Sequence, residues 1–317
     1  MKWAFLFPGQ GAQYVGMGRD FYEAFPIARA TFEEADDLLS AKLSRLILEG
    51  PADELTLTKN SQLAIFVVSI AFLRVLQQQL PDWSPHVCAG LSLGEYTALV
   101  ASNRMGFADC LRLVQSRALF MHEACASTQG TMRVVLGLEA AEVETAIASL
   151  PGQRSVWVAN LNCPGQVVIA GTVAGIETAA ETLKVRGAKR VLPLDVSGAF
   201  HSGLMAEAQR RLAPQIEETT LQESQIDLVM NVPGDYVNSL VDVRKNLIHQ
   251  VTGTVRWEKG IRAMSAAGID HFLEIGCGKT LTGMNKKIGI PVENSFSLEK
   301  VADLEHVVKA FEAVCNC

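Results

Sequence analysis

Three side chains in this sequence, a serine, a histidine and an arginine, stand in settings that suit nucleophilic catalysis. Gly90-Leu91-Ser92-Leu93-Gly94 has the G-x-S-x-G pattern, in which a serine occupies a tight turn between a strand and a helix. "HVCAG" before it reads as a strand and "LGEYTALVAS" after it as a helix. Glycines two positions to either side let the chain turn sharply, so that Oγ is exposed and the next backbone N–H faces a developing oxyanion. A serine that only caps the following helix would leave the same five residues. The distinction rests on a base, because a serine hydroxyl is a weak nucleophile until its proton is removed.

Six histidines compete for that role: His86, His122, His201, His249, His271 and His306. His86 begins the strand before the serine, His271 precedes the strand "FLEI", and His122, His249 and His306 fall in helical patterns. His201 stands in "VSGAFHSG", a loop of small residues, and loops held by rigid elements are where catalytic groups concentrate. It is the best local candidate. Asp195 is near enough in sequence to orient it, as a triad's third member would, but many other acids compete.

Pro8-Gly9-Gln10-Gly11 follows a first apolar run and lacks the G-K-[ST] ending of a nucleotide-phosphate loop. It can serve as a second oxyanion donor or as a plain tight turn. Arg117, in the mostly apolar "LRLVQSRALF", either reaches out to solvent along its stem or turns its planar fork into a cleft to bind a carboxylate.

The elements that must position these residues alternate. Strand-like runs at 3–7, 86–90, 156–159, 166–170, 189–192 and 270–275 interleave with helical patterns at about 27–41, 61–79, 93–101, 107–124, 173–185 and 203–217. That order predicts an α/β fold with a parallel-rich sheet. Between Thr131 and Leu194 the elements shorten and run β-α-β-β-α-β, the order of a ferredoxin-like unit. We therefore expect a small ferredoxin-like α+β subdomain at 127–198, inserted into a hydrolase-like body built from 1–126 and 199–317, with a cleft between them.

Composition narrows the function class. With 317 residues, 49% of them hydrophobic and 20% charged, the chain can bury a sizeable core and has the balance of a soluble globular protein. A net charge of −6 speaks against a surface that grips nucleic acid. Seven scattered cysteines without C-x-x-C spacing read as reduced thiols of a cytoplasmic protein. The most apolar run, Leu63 to Leu73, is shorter than the roughly 20 residues of a membrane span and reads as a buried helix. The Cys315-Asn316-Cys317 ending does not fit a prenylation signal.

Taken together, "FPGQGAQ" (7–13), "GLSLGEY" (90–96), "QSRALFM" (115–121), "NLNCPGQVVIAG" (160–171), "SGAFHSGLM" (197–205), "QVTGTVRW" (250–257) and "EIGCGKTLTGMNKK" (274–287) resemble the malonyl-CoA:acyl carrier protein transacylase family of bacterial type II fatty-acid synthesis. The motifs occur in the family's order and span nearly the whole chain. The resemblance implies transfer of malonyl from malonyl-CoA to the phosphopantetheine thiol of acyl carrier protein through a malonyl-serine. It makes Ser92 the nucleophile, His201 the base and Arg117 the partner of the malonyl carboxylate. The N–H groups of Gln10 and Leu93 become the oxyanion hole, and the Gln250 carbonyl orients His201, which leaves Asp195 a structural role. It implies no metal and no cofactor, a monomer, and partners limited to CoA thioesters and the carrier, without nucleic acid or membrane.

Within that resemblance "GAFH" (198–201) is similar to the malonyl-type signature, and Phe200 would crowd an α-methyl group. One such group supplies only about 1–3 kcal/mol of discrimination. The chain departs from the family pattern at Leu91, where histidine is usual, and at Leu63 and Cys277, where proline is usual. Because carrier proteins are acidic, Lys184, Arg186, Lys189, Arg190, Lys286 and Lys287 are candidates for a local positive docking face.

Overall fold

Two β-sheets of different construction divide the work of the chain. The computed structural model describes residues 1–150 and 155–315; the final Asn316-Cys317 of the tail lies outside them. In chain order the strands are β1 (Trp3–Phe7), β2 (Val87–Gly90), β3 (Gly130–Leu136), β4 (Val156–Cys163), β5 (Gln166–Thr172), β6 (Arg190–Pro193), β7 (Asp227–Met230), β8 (Asp235–Tyr236), β9 (His271–Ile275) and β10 (Ser295–Leu298).

The larger sheet has the order β10-β9-β1-β2-β7-β8 and is parallel except for the short β8 at its edge. All five residues of β1, "WAFLF", are buried. That is why the strand is an unbroken apolar run, since a parallel strand covered on both faces has no polar side. β1 and β2 are in register from Ala4↔Val87 to Phe7↔Gly90. The loops that follow them, carrying Gln10 and Ser92, therefore leave the same carboxyl edge side by side, the edge at which open α/β sheets bind ligands.

The second sheet, β4-β5-β3-β6, is antiparallel throughout. With the helices Ala140–Ala148 and Val173–Val185 it has the ferredoxin-like order expected from the sequence. Alternation along its strands divides the residues between two faces. Val135, Val167 and Ile169 pack under the two helices, while Met132, Val134 and Val168 turn to a cleft shared with the larger body.

The helix Thr58–Gln79 is longer than its apolar run suggested. At 22 residues it meets the length and hydropathy of a membrane span, yet 83% of its apolar window is buried inside the protein. It packs chiefly against the helices Phe107–Ser127 and Pro26–Leu39, so it is a core helix on packing grounds, whereas the length argument alone does not hold.

Strands β7 and β10 escape sequence periodicity. "DLVM" and "SFSL" are four residues each, too few to establish a period, and their identity comes from pairing with β2 and β9.

Candidate active site

The turn after β2 is built by two close approaches. A Cβ on Gly90 would stand 1.9 Å from the Gly94 carbonyl carbon, and one on Gly94 2.1 Å from the Phe7 carbonyl oxygen. Only glycine lets the helix Gly94–Ala101 seat directly on the ends of β1 and β2. Ser92 between them has φ 53°, a left-handed conformation that costs a non-glycine residue roughly 1–2 kcal/mol. Asn231, immediately beyond β7, compensates. Its Oδ1 accepts the Ser92 N–H at 2.7 Å and its Nδ2 donates to the Gly90 carbonyl at 2.7 Å.

His201 reaches this serine from 109 positions away, with Nε2 2.8 Å from Ser92 Oγ. Its Nδ1 is 2.8 Å from the Gln250 carbonyl oxygen. A carbonyl only accepts, so Nδ1 carries the ring proton and Nε2 is left as the acceptor for the serine hydroxyl. His201 is 3% exposed; burial, reinforced by the Arg117 charge, lowers its pKa to about 4. The imidazole is therefore neutral at pH 7, the form a base requires. Asp195 is exposed and takes no part, since Nδ1 is occupied by the Gln250 carbonyl. His86 and His271 sit at the amino ends of β2 and β9, the opposite edge of the sheet.

Arg117 turns inward instead of reaching for solvent and is 1% exposed. Its Nη2 donates to Ser92 Oγ at 3.2 Å and to Gln250 Oε1 at 2.8 Å, and its Nη1 donates to Gln62 Oε1. The guanidinium carbon lies 5.3 Å from the Tyr96 ring centroid. Because Oγ accepts from Arg117, its own proton is directed to His201 Nε2. The Gln250 side chain also donates from Nε2 to the Ser92 carbonyl at 2.7 Å and to Glu95 Oε2 at 2.8 Å. Glu95 Oε1 in turn accepts the Asn231 N–H at 2.6 Å. Burial pushes the Glu95 carboxyl above the ordinary range, while the Asn231 N–H, the Gln250 amide and Arg117 pull the other way.

Ser92, His201 and Arg117 open onto a cleft of about 290 Å³ between the two sheets, lined on the body side by Gln10, Leu91 and Phe200 as well. Among the described residues neither the Gln10 N–H nor the Leu93 N–H has a backbone acceptor. The Gln10 side chain is tied to Thr58 Oγ1 at 3.3 Å, which steadies the loop after β1. Leu91 packs against the cluster that includes Val255, Leu281 and Met284, an apolar seat that explains how the chain accommodates an aliphatic residue there. Cys277 is fully buried with its Sγ 3.2 Å from Met17 Sδ, and burial raises its pKa; it is a packed thiol. At the cleft mouth Lys287 Nζ donates to Gln166 Oε1 at 3.2 Å.

Sequence reasoning brought together Ser92, His201, Arg117 and Gln250 but missed Glu95, Asn231 and Gln62. Glu95 looks like an acid in the first turn of a helix, where the dipole alone would favour it. Asn231 follows a strand too short to read. Gln62 is one of four buried polar residues on an otherwise apolar helix, with Thr58, Ser61 and Ser69, and the one among them with a side-chain amide, which was the available signal.

Residues 4–295 match the acyl transferase domain family. A malonyl CoA-acyl carrier protein transacylase of Bacillus subtilis (strain 168) is 43% identical over 288 residues, 90% of each chain. The crystal structure of MCAT from Streptococcus pneumoniae superposes with a TM-score of 0.92 at 39% identity, covering 98% of this chain and 100% of the other. PlMCAT, a malonyl-transacylase solved in complex with the type II PKS acyl-carrier protein AntF, has a TM-score of 0.92 at 36% identity, covering 98% and 100%. With its serine, histidine and buried arginine converging on one cleft, this chain is an acyltransferase and belongs to the malonyl CoA-acyl carrier protein transacylase family.

Proposed function

We propose that the protein moves a malonyl group from malonyl-CoA to the phosphopantetheine thiol of acyl carrier protein, with Ser92 as the covalent way station, supplying fatty-acid elongation. His201 Nε2 takes the Ser92 proton as Oγ attacks the thioester carbonyl. The negative charge that develops on the carbonyl oxygen is met by the Gln10 and Leu93 N–H groups. Collapse expels CoA, whose sulfur receives the proton from His201. The carrier thiol then enters, gives its proton to His201 and attacks the malonyl-serine; collapse breaks the bond to Ser92 Oγ, which takes that proton back from His201, and the carrier leaves with the acyl group.

One observation carries the reading: a fully buried arginine 3.2 Å from the nucleophilic oxygen. Burying a cation is unfavourable unless an anion or a good set of acceptors meets it. Here the acceptors are two glutamine side-chain oxygens and the serine itself. An acyl group ending in a carboxylate completes the arrangement, because a carboxylate matches the guanidinium fork. No cofactor or metal enters this scheme. The basic pair Lys286 and Lys287, at the end of the helix whose Thr280 and Met284 line the cleft, supports docking of an acidic carrier at the mouth. The free thiols Cys88, Cys110, Cys125, Cys163 and Cys277 suit a cytoplasmic setting.

The test is incubation with malonyl-CoA, with and without holo acyl carrier protein. A stoichiometric burst of CoA without carrier, sustained turnover with it, and a malonyl adduct on the peptide containing Ser92 are expected. Sustained CoA release without carrier would make the protein a hydrolase, and an unchanged reaction in Ser92→Ala would remove the serine from the mechanism.

A further inference from the structure

The Gln250 side chain is surrounded by three groups that leave its amide one orientation. The Ser92 carbonyl accepts, Glu95 Oε2 accepts, and the Arg117 guanidinium donates. The amide NH2 must face the first two, and Oε1 must face the third. Gln250 and Glu95 are both 0% exposed, so no solvent competes for these contacts. Of the two acceptors, the Ser92 carbonyl belongs to the turn itself, and Glu95 is the one supplied by a side chain.

Glu95 has a second contact that ties it to the elbow. Its other oxygen accepts the backbone N–H of Asn231, whose side chain spans Ser92 and Gly90. One carboxyl group thus anchors two branches: through Asn231 to the nucleophile's backbone, and through Gln250 to the arginine. Among the described residues the Glu95 side chain makes no hydrogen bond to Ser92 Oγ or to His201; its oxygens go to Asn231 and Gln250.

We infer that Glu95 is a positioning residue for acyl-group selection: it fixes the Gln250 amide so that Oε1 aims the Arg117 fork at the acyl carboxylate. The inference rests on the malonyl-transfer reading and deepens it. Glu95→Gln separates the two branches. Its Oε1 keeps the Asn231 N–H satisfied, while its NH2 meets the NH2 of Gln250 donor to donor. Gln250 must then flip or withdraw, which sets a donor against Arg117 and removes the acceptor that held it.

The experiment compares wild type and Glu95→Gln with malonyl-CoA and acetyl-CoA, following the burst of CoA release, with the acetyl burst amplitude counting competent active sites. The expected result is that the ratio of malonyl to acetyl kcat/KM falls by about 10-fold or more, since contacts to a charged group carry that much discrimination. Most of the fall should appear as a raised KM for malonyl-CoA, with the acetyl burst retained. Equal loss of both substrates, or loss of the acetyl burst, overturns the inference and makes Glu95 a support of the turn alone. Wild type in the same experiment keeps the two claims apart: absence of a malonyl burst there sinks the malonyl-transfer reading itself, whatever the variant does.

Discussion

Ser92 and His201 share a 2.8 Å hydrogen bond, and each holds a left-handed backbone, at φ 53° and 55°. Two strained residues in direct contact persist only where the surroundings over-determine them. On the serine side Asn231 supplies both contacts of the brace. On the histidine side the fully buried Ser202 donates to the Ala199 carbonyl at 2.6 Å and accepts the Leu204 N–H at 3.2 Å, closing the loop on either flank of the ring. Reactive geometry is thus set by polar side chains one residue beyond the reacting pair.

The His201 environment sets the pH dependence. Its pKa in the folded protein, about 4, lies below the ordinary 6.5 because burial and the Arg117 charge both disfavour the imidazolium. The neutral base persists as pH falls past 6.5, so the acid limb of kcat/KM is expected at about 4. Stability has the matching sign. The unfolded chain takes up this proton first, so the His201 contribution is complete above 6.5 and is lost as pH falls from there to about 4. Kinetic profiles and denaturant melts on a pH series check both; an acid limb centred at 6.5 would refute the buried neutral base.

Arg117→Ala separates binding of the acyl carboxylate from chemistry. Removing a buried fork that meets a carboxylate is expected to lower malonyl kcat/KM by about 100-fold or more, a loss of roughly 3 kcal/mol or above. Acetyl transfer should be kept or raised. The same variant, assayed with acetyl-CoA, should move the acid limb upward, because one of the two effects depressing His201 has gone. Equal loss of both acyl groups would remove the carboxylate role.

Asn231→Ala probes the brace. It leaves the Ser92 N–H without its acceptor and the Gly90 carbonyl without its donor, each a buried loss of about 1–3 kcal/mol. The acylation rate is expected to fall about 100-fold, since small misplacements of a nucleophile cost that much. The ratio of malonyl to acetyl transfer should stay close to wild type, the reverse of Glu95→Gln. Single-turnover CoA release with both thioesters measures the two quantities together.

What could be read in advance follows the length scale of the signal. The serine turn, the β-α-β-β-α-β order and the long helices are local patterns, and they emerged from spacing alone. His201 was favoured by its loop setting, and its pairing with Ser92 rested on family resemblance, because no local rule joins positions 109 apart. Asn231 was illegible for a further reason. It is placed by β7, whose four residues become a strand only by pairing with β2, so the position of the brace is a property of the assembled sheet. Glu95 and Gln62 were hidden by type: acids and amides on helices are mostly solvated, and their burial is visible only once the helices pack.

Gly94→Ala tests the packing on which all of this depends. The helix Gly94–Ala101 sits so close to β1 that an added Cβ would lie 2.1 Å from the Phe7 carbonyl oxygen, 2.8 Å from its carbon and 2.9 Å from the Pro8 oxygen. All three are backbone atoms and cannot rotate aside. Alanine is favoured over glycine by up to about 1 kcal/mol in a helix interior and by less at the first helical position, which Gly94 holds, so propensity alone predicts no loss of stability. The clash decides otherwise, because relieving it means moving the helix off β1, and with it the Leu93 N–H, the Glu95 carboxyl group and the Ser92 turn. A stability loss of at least about 3 kcal/mol, with loss of the CoA burst, is expected in denaturant melts and burst assays. A variant as stable as wild type would mean that the helix does not rest on the strand.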